Sequence, residues 1–155
     1  MDQRMMDLAI EMSRRGMEEN NGGPFGAVVA RNGDVISAAY NRVTGSDDPT
    51  AHAEVRALRL AAEMLGTYDL TDCEIYASSE PCPMCFGAIY WSRVQRVYFA
   101  NTREDAARIG FDDSFIYNEL NKDLSKRSIP FIHVDDPHAL EVFNAWERKE
   151  DKTEY

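Results

Sequence analysis

Cysteine is scarce, with 3 among 155 residues. An odd count cannot pair completely, and Cys82 and Cys85 stand three positions apart. A disulfide-stapled secreted scaffold is therefore excluded, and metal or redox chemistry in a reducing compartment is indicated. Long apolar runs are also missing. The N-terminal segment is interrupted by Asp7, Glu11, Arg14 and Arg15, which leaves neither a signal peptide nor a membrane span and predicts a cytoplasmic protein with no membrane partner. Positive charge is in deficit, since 17 Lys and Arg against 27 Asp and Glu give a net charge of −10. Such a surface repels a phosphate backbone and argues against a nucleic-acid partner. Only a local cluster at Arg93, Arg96, Arg103 and Arg108 opposes that reading. Repeats and low-complexity segments are absent.

What remains is an ordinary globular composition, 44% hydrophobic and 28% charged, enough to build one domain with its own core. Met5, Leu8, Ala9 and Met12 recur at helical spacing, predicting an amphipathic helix that ends near Gly16. Gly22-Gly23-Pro24 breaks the chain. Phe25 to Arg31 and Asp34 to Tyr40 read as strands, and Asn32-Gly33 between them is the signature of a type I′ hairpin. Asn41 to Thr50 is polar and reads as a loop, followed by a helix over 51–65 that closes at Gly66. A strand at 74–78, a helix from about Cys82 to Ser92 and a strand at 96–100 imply a parallel pair with a crossover, so the sheet is mixed. Short helices around 103–109 and 113–120, an apolar stretch Ile129 to Val134, and a helix after Pro137 complete the chain. The charged end, Glu147 to Tyr155, reads by composition as a solvated tail.

The chemistry concentrates in two short blocks, His52-Ala53-Glu54 and Pro81-Cys82-Pro83-Met84-Cys85. H-x-E followed by P-C-x-x-C is the known signature of zinc deaminases. Thiols at i and i+3 share one side of a helix, and the helix N-terminus favours the thiolate that Zn²⁺ requires. With His52 as a neutral third ligand, two thiolates balance the dication and a fourth tetrahedral position stays open for water. Zinc lowers the pKa of such a water toward about 7, which makes hydroxide available for attack on an amidine-like carbon. Glu54 is the motif residue suited to carry protons between water, ring nitrogen and departing amine.

Two blander readings stay open on the residues alone. The C-x-x-C could be a redox pair, although Pro81 and Pro83 have no thioredoxin-like flanks. A structural zinc-binding interaction module is the other, with Cys73 as fourth ligand; Glu54 then has no purpose. Otherwise Cys73 is a small buried hydrophobe, and His133 and His138 carry no role. Trp91, Tyr98 and Phe99 default to the core, with Trp91 alone near enough to the cysteines to reach a substrate.

These blocks, together with Gly22-Gly23-Pro24-Phe25-Gly26-Ala27 and Gly87-Ala88-Ile89-Tyr90-Trp91, resemble the cytidine-deaminase superfamily. The whole chain is similar to the bacterial guanine deaminases within it, because Gly110-Phe111-Asp112-Asp113-Ser114-Phe115-Ile116-Tyr117, Ile129-Pro130-Phe131 and a terminal Glu154-Tyr155 follow in order. One departure is Ser78-Ser79, where relatives often carry Thr or Cys. The resemblance implies an α/β chain of three layers, α/β/α, around a central mixed five-stranded sheet. It implies one zinc deaminase domain over 1–155, one Zn²⁺ per chain, and conversion of guanine to xanthine and ammonia. Cytosine or another free amino-heterocycle, such as an amino-triazine or related purine, is the alternative substrate. By the same resemblance Phe25, Asn41, Ala53, Trp91, Asp113 and Tyr155 contact the base, and Asp113 shares proton transfer with Glu54. The segment from about 110 to 155 crosses between subunits of a homodimer, so that Tyr155 closes a neighbour's pocket.

Overall fold

The computed structural model describes residues 1–155. Helix α1, Gln3–Glu18, begins where the Asp2 side chain accepts the Arg4 N–H, and it buries Met5, Met6 and Ala9. It runs two residues past Gly16, so that glycine is not the stop signal it resembles. A Cβ at Gly16 would stand 2.8 Å from the Tyr40 Cβ. The glycine lets α1 lie close against the next hairpin, and the chain leaves the helix at Asn20, with φ of 56°.

Strands β1, Gly26–Arg31, and β2, Asp34–Tyr40, are antiparallel. Their turn has φ of 54° at Asn32 and 85° at Gly33, the pair of positive angles that a type I′ turn needs. The following loop contains a short helical turn, α2, Val43–Ser46. Helix α3, Ala53–Leu65, ends in left-handed Gly66; strand β3, Cys73–Ser79, helix α4, Pro83–Ser92, and strand β4, Arg96–Asn101, follow. Beyond them lie α5, Arg103–Arg108, α6, Ser114–Leu120, a 3₁₀ turn Leu124–Lys126, and α7, Pro137–Arg148.

The sheet order is β2-β1-β3-β4. β3 runs antiparallel to β1 and parallel to β4, as the strand, helix, strand order requires. Strand alternation sorts the core into two faces. Val28, Ala30 and Tyr76 pack with Met5, Met6 and Ala9 of α1. Ala27, Val29, Cys73 and Ile75 pack with Ala53, Ala57, Leu58 and Ala61 of α3 and Ile89 of α4. The three layers expected from the sequence are thus present, but the sheet has four strands and not five. The apolar stretch Ile129 to Val134 adopts no strand and is exposed throughout. Pro130 lacks the N–H a ladder would use, and hydrophobicity without a strand to pair with does not make a strand.

The chain divides into two compact units, Met1–Ser114 and Phe115–Tyr155. The first contains both core faces. The second contains no buried residue; within it Glu119 accepts the Ser128 N–H at 2.8 Å, Asp136 caps α7, and Arg127 lies over Phe131 at 4.7 Å.

Candidate metal centre and active site

His52 is the N-cap of α3 and Cys82 the N-cap of α4, both in extended backbone. Pro83 at the first helical position of α4 fixes the chain direction there, and Cys85 follows in the same turn. The two helix starts converge. Cys82 Sγ lies 3.5 Å from His52 Nδ1 and 3.6 Å from Cys85 Sγ, and Cys85 Sγ lies 3.5 Å from the same nitrogen. A tetrahedral zinc with sulfur at about 2.3 Å and nitrogen at about 2.05 Å separates its ligands by about 3.8 Å (S to S) and 3.6 Å (S to N). The donor set and its spacing therefore fit one zinc ion, with a fourth position left over.

Electrostatics favour the ligating form at Cys82 alone, and shift Cys85 and His52 toward their protonated forms. The Cys85 thiol bonded to Cys82, with help from His52, holds the Cys82 thiol down at about 4, while the same hydrogen bond and burial push Cys85 up. The bond to Cys82 raises His52. Glu54, in the first turn of α3 beside the ligands, is 7% exposed. Burial, and then the Cys82 charge, push its carboxyl above the usual range, which suits a group that must hold and release protons near neutrality.

Cys73 takes no part. It is buried at the far end of β3, and the seven residues of that strand alone place it about 20 Å from the Cys82 loop. The fourth-ligand reading that motivated a structural zinc module is thereby removed.

Around the centre, Asn41 is 5% exposed, donates its N–H to Phe25 O at 2.9 Å, and accepts the Val43 N–H on Oδ1 at 3.1 Å. That bond fixes the amide orientation and leaves the Asn41 NH₂ as a donor. Phe25 meets Phe111 edge-on, ring centroids 4.9 Å apart. Ala53 is fully buried at the start of α3. Asp113 is half-buried, and its carboxyl is raised first by burial and then by the Cys82 charge. The Ser114 N–H that opens α6 is taken by the neighbouring Asp112 carboxylate at 2.9 Å. Trp91 lies at the opposite end of α4 from the ligands, six residues and about 9 Å from Cys85 along the axis, with its indole 69% exposed. Tyr155 belongs to the second unit and is 72% exposed.

Three positions escape a motif reading. A Cβ at Gly22 would fall 2.0 Å from Asn41 Oδ1, and one at Gly23 would fall 2.7 Å from Phe111. Glu80, hidden between the strand and Pro81, accepts the Arg103 N–H at 3.2 Å. The Gly-Gly pair was a visible signal, but what it makes room for is a tertiary fact.

An imidazole, two thiols and a buried carboxylate on the starts of two helices, laid over a mixed sheet, define a mononuclear zinc hydrolase centre. Residues 1–101 match the model of the cytidine and deoxycytidylate deaminase zinc-binding region, and the chain belongs to that family. It is 50% identical over 147 residues to the guanine deaminase of Bacillus subtilis (strain 168), covering 95% of this chain and 94% of that protein. The X-ray structure of guanine deaminase from Bacillus subtilis superposes with a TM-score of 0.97 at 47% identity, covering 100% of this chain and 99% of the other. A guanine deaminase from Nitrosomonas europaea is more distant, with a TM-score of 0.68, 38% identity, and coverage of 73% and 65%. The tRNA-specific adenosine deaminase of Aquifex aeolicus is 39% identical over 95 residues, 61% of this chain and 62% of that one. No helix is long and apolar enough to cross a membrane.

Proposed function

We propose that this chain is a cytoplasmic deaminase of the free base guanine, releasing xanthine and ammonia. The observation that carries the substrate is likeness along essentially the whole chain to a guanine deaminase, whereas likeness to the tRNA-specific enzyme covers 61% of it. The net charge of −10 points the same way, to a small base without a phosphate backbone.

His52, Cys82 and Cys85 hold the metal, which when bound acidifies water at the open position and makes a nucleophile available at neutral pH. Glu54 takes one proton from that water and delivers it to the ring nitrogen beside the attacked carbon, then takes the remaining proton of the added hydroxyl and passes it to the departing amine as the carbonyl forms. Its burial excludes competing bulk water from the exchange. The Asn41 NH₂ donates to an acceptor on the base. Phe25, braced by Phe111, and Trp91 offer flat apolar faces, and Ala53 leaves room at the floor of the site. Asp113 accepts from the exocyclic amine and relays a proton to ammonia.

The second unit is read as the part exchanged in a homodimer, with Tyr155 closing the neighbour's pocket. Support comes from its composition, because a 41-residue segment with no buried residue supplies no core of its own. Ammonia release from guanine, adenine, cytosine and the corresponding nucleosides tests the substrate. Turnover is expected on guanine, and turnover of cytosine without guanine would overturn the assignment.

A further inference from the structure

We propose that Glu80 is a positioning residue that fastens the thiol-bearing loop to the segment carrying Asp113. The inference rests on the reading of this centre as a deaminase.

Glu80 stands between the end of β3 and Pro81-Cys82. Its N–H donates to Asn101 O at 2.8 Å, and its carboxylate accepts the Arg103 N–H at 3.2 Å. That N–H is the first of α5. The helix already has a complete capping box, in which Thr102 Oγ1 takes the Asp105 N–H at 3.3 Å and the Asp105 carboxylate takes the Thr102 N–H at 3.1 Å. The bond from Glu80 is therefore an added link, and it joins the metal loop to a different element.

α5 transmits that link. The helix closes with the Gly110 N–H on Ala107 O and the Phe111 N–H on Ala106 O, both at 3.0 Å, and turns at Gly110 with φ of 97°. Phe111 is then wedged against Phe25, and Asp112 takes the Ser114 N–H. Between these restraints Asp113 is held half-buried. One end of the 103–113 segment is thus fixed by the Phe25 contact and the other by Glu80, two residues from a metal ligand. Without the Glu80 bond, the Arg103 end of that segment is tied to the metal loop only through β4, whose Asn101 carbonyl takes the Glu80 N–H.

Steady-state kinetics of the zinc-loaded full chain test this. Glu80→Ala is expected to keep its zinc and lower kcat on guanine about tenfold or more, with KM within about twofold, since small misplacement of a reacting group acts mainly on the chemical step. Glu80→Gln, which keeps an acceptor oxygen, is expected to recover kcat to within about threefold of the starting protein. Should Glu80→Ala disturb folding, Arg103→Pro removes the donor from the other side of the bond, because proline is tolerated at a first helical position. Its reference is Arg103→Gln, which also loses the charge but keeps the N–H. The proline variant is expected to show the kcat loss relative to glutamine, and the Glu80→Ala/Arg103→Pro double variant to be no worse than either alone. Hydrogen exchange over 103–113 supplies a readout independent of turnover, expected to be faster in Glu80→Ala and unchanged in Glu80→Gln. Unchanged kcat in Glu80→Ala, failure of Glu80→Gln to rescue, or multiplicative losses in the double variant would each overturn the proposal. A starting protein inactive on guanine would instead count against the substrate assignment, with the exchange comparison still deciding the role of Glu80.

Discussion

At the scale of single residues, the centre separates the metal-ligand set from the carboxyl proposed to carry protons. Glu54 is buried next to three donors that already satisfy the spacing of a zinc ion, and it is not among them. Glu54→Gln is therefore expected to retain about one zinc per chain by emission spectroscopy while losing at least about 10²-fold in kcat, the usual worth of a positioned acid-base group. Lost zinc, or turnover near that of the starting protein, would remove Glu54 from this role. Gly22 supports the site in a different way, because its missing Cβ is what lets the Asn41 carboxamide stand where it does. Gly22→Ala is expected to raise KM for guanine by about tenfold, in the range of one displaced hydrogen bond to a ligand, with a smaller effect on kcat. The ligands and Glu54 were legible because their chemistry demands particular residue types at fixed local spacing. Gly22 and Glu80 were not, because each matters through an atom brought from elsewhere in the fold, 19 and 23 residues away in sequence.

At the scale of elements, local signals read true wherever local physics decides. Asn32-Gly33 gives the hairpin, Gly66 ends α3, and the order of β3, α4 and β4 yields the parallel pair. The two departures have one origin. Gly16 looked like a helix stop and is a point of close packing, while the fifth strand implied by the family resemblance has no counterpart, the apolar stretch Ile129 to Val134 being exposed coil. In both, the sequence carries the residue type but not the neighbour that gives it meaning. Gly16→Ala makes the distinction measurable. Intrinsic propensity alone would stabilise α1 by nearly 1 kcal/mol, but the added methyl meets Tyr40 at 2.8 Å. The net result is expected to be a loss of about 1–3 kcal/mol, the usual range for overpacking, read as a lowered denaturation midpoint at constant m-value. A raised midpoint would return Gly16 to the status of a misplaced helix end.

At the scale of the whole molecule, the unequal burial of the two units asks for an explanation. Ile132 is 82% exposed, Val134 74%, Val142 66% and Phe143 75%, a density of apolar surface that an isolated chain rarely leaves in water. A homodimer that exchanges this segment would cover it, and would turn the terminal residues from a solvated tail into a lid. Tyrosine suits the lid position, since it offers a flat apolar face with a polar tip. Deleting Thr153 to Tyr155 is accordingly expected to leave folding and zinc content intact while sharply reducing guanine turnover. Unchanged kinetics would mean the tail is a frayed terminus. Complementation distinguishes donation to the neighbour from closure within one chain. When a Glu54→Ala chain is mixed with a tail-deleted chain, random exchange makes half of the dimers hybrid. Each hybrid pairs one intact Glu54 with one intact tail, so recovery toward about a quarter of full activity is expected if the tail serves the partner. No recovery after subunit exchange has been verified by mass spectrometry would mean that each tail closes its own site, and the exposed apolar surface would then need a different partner.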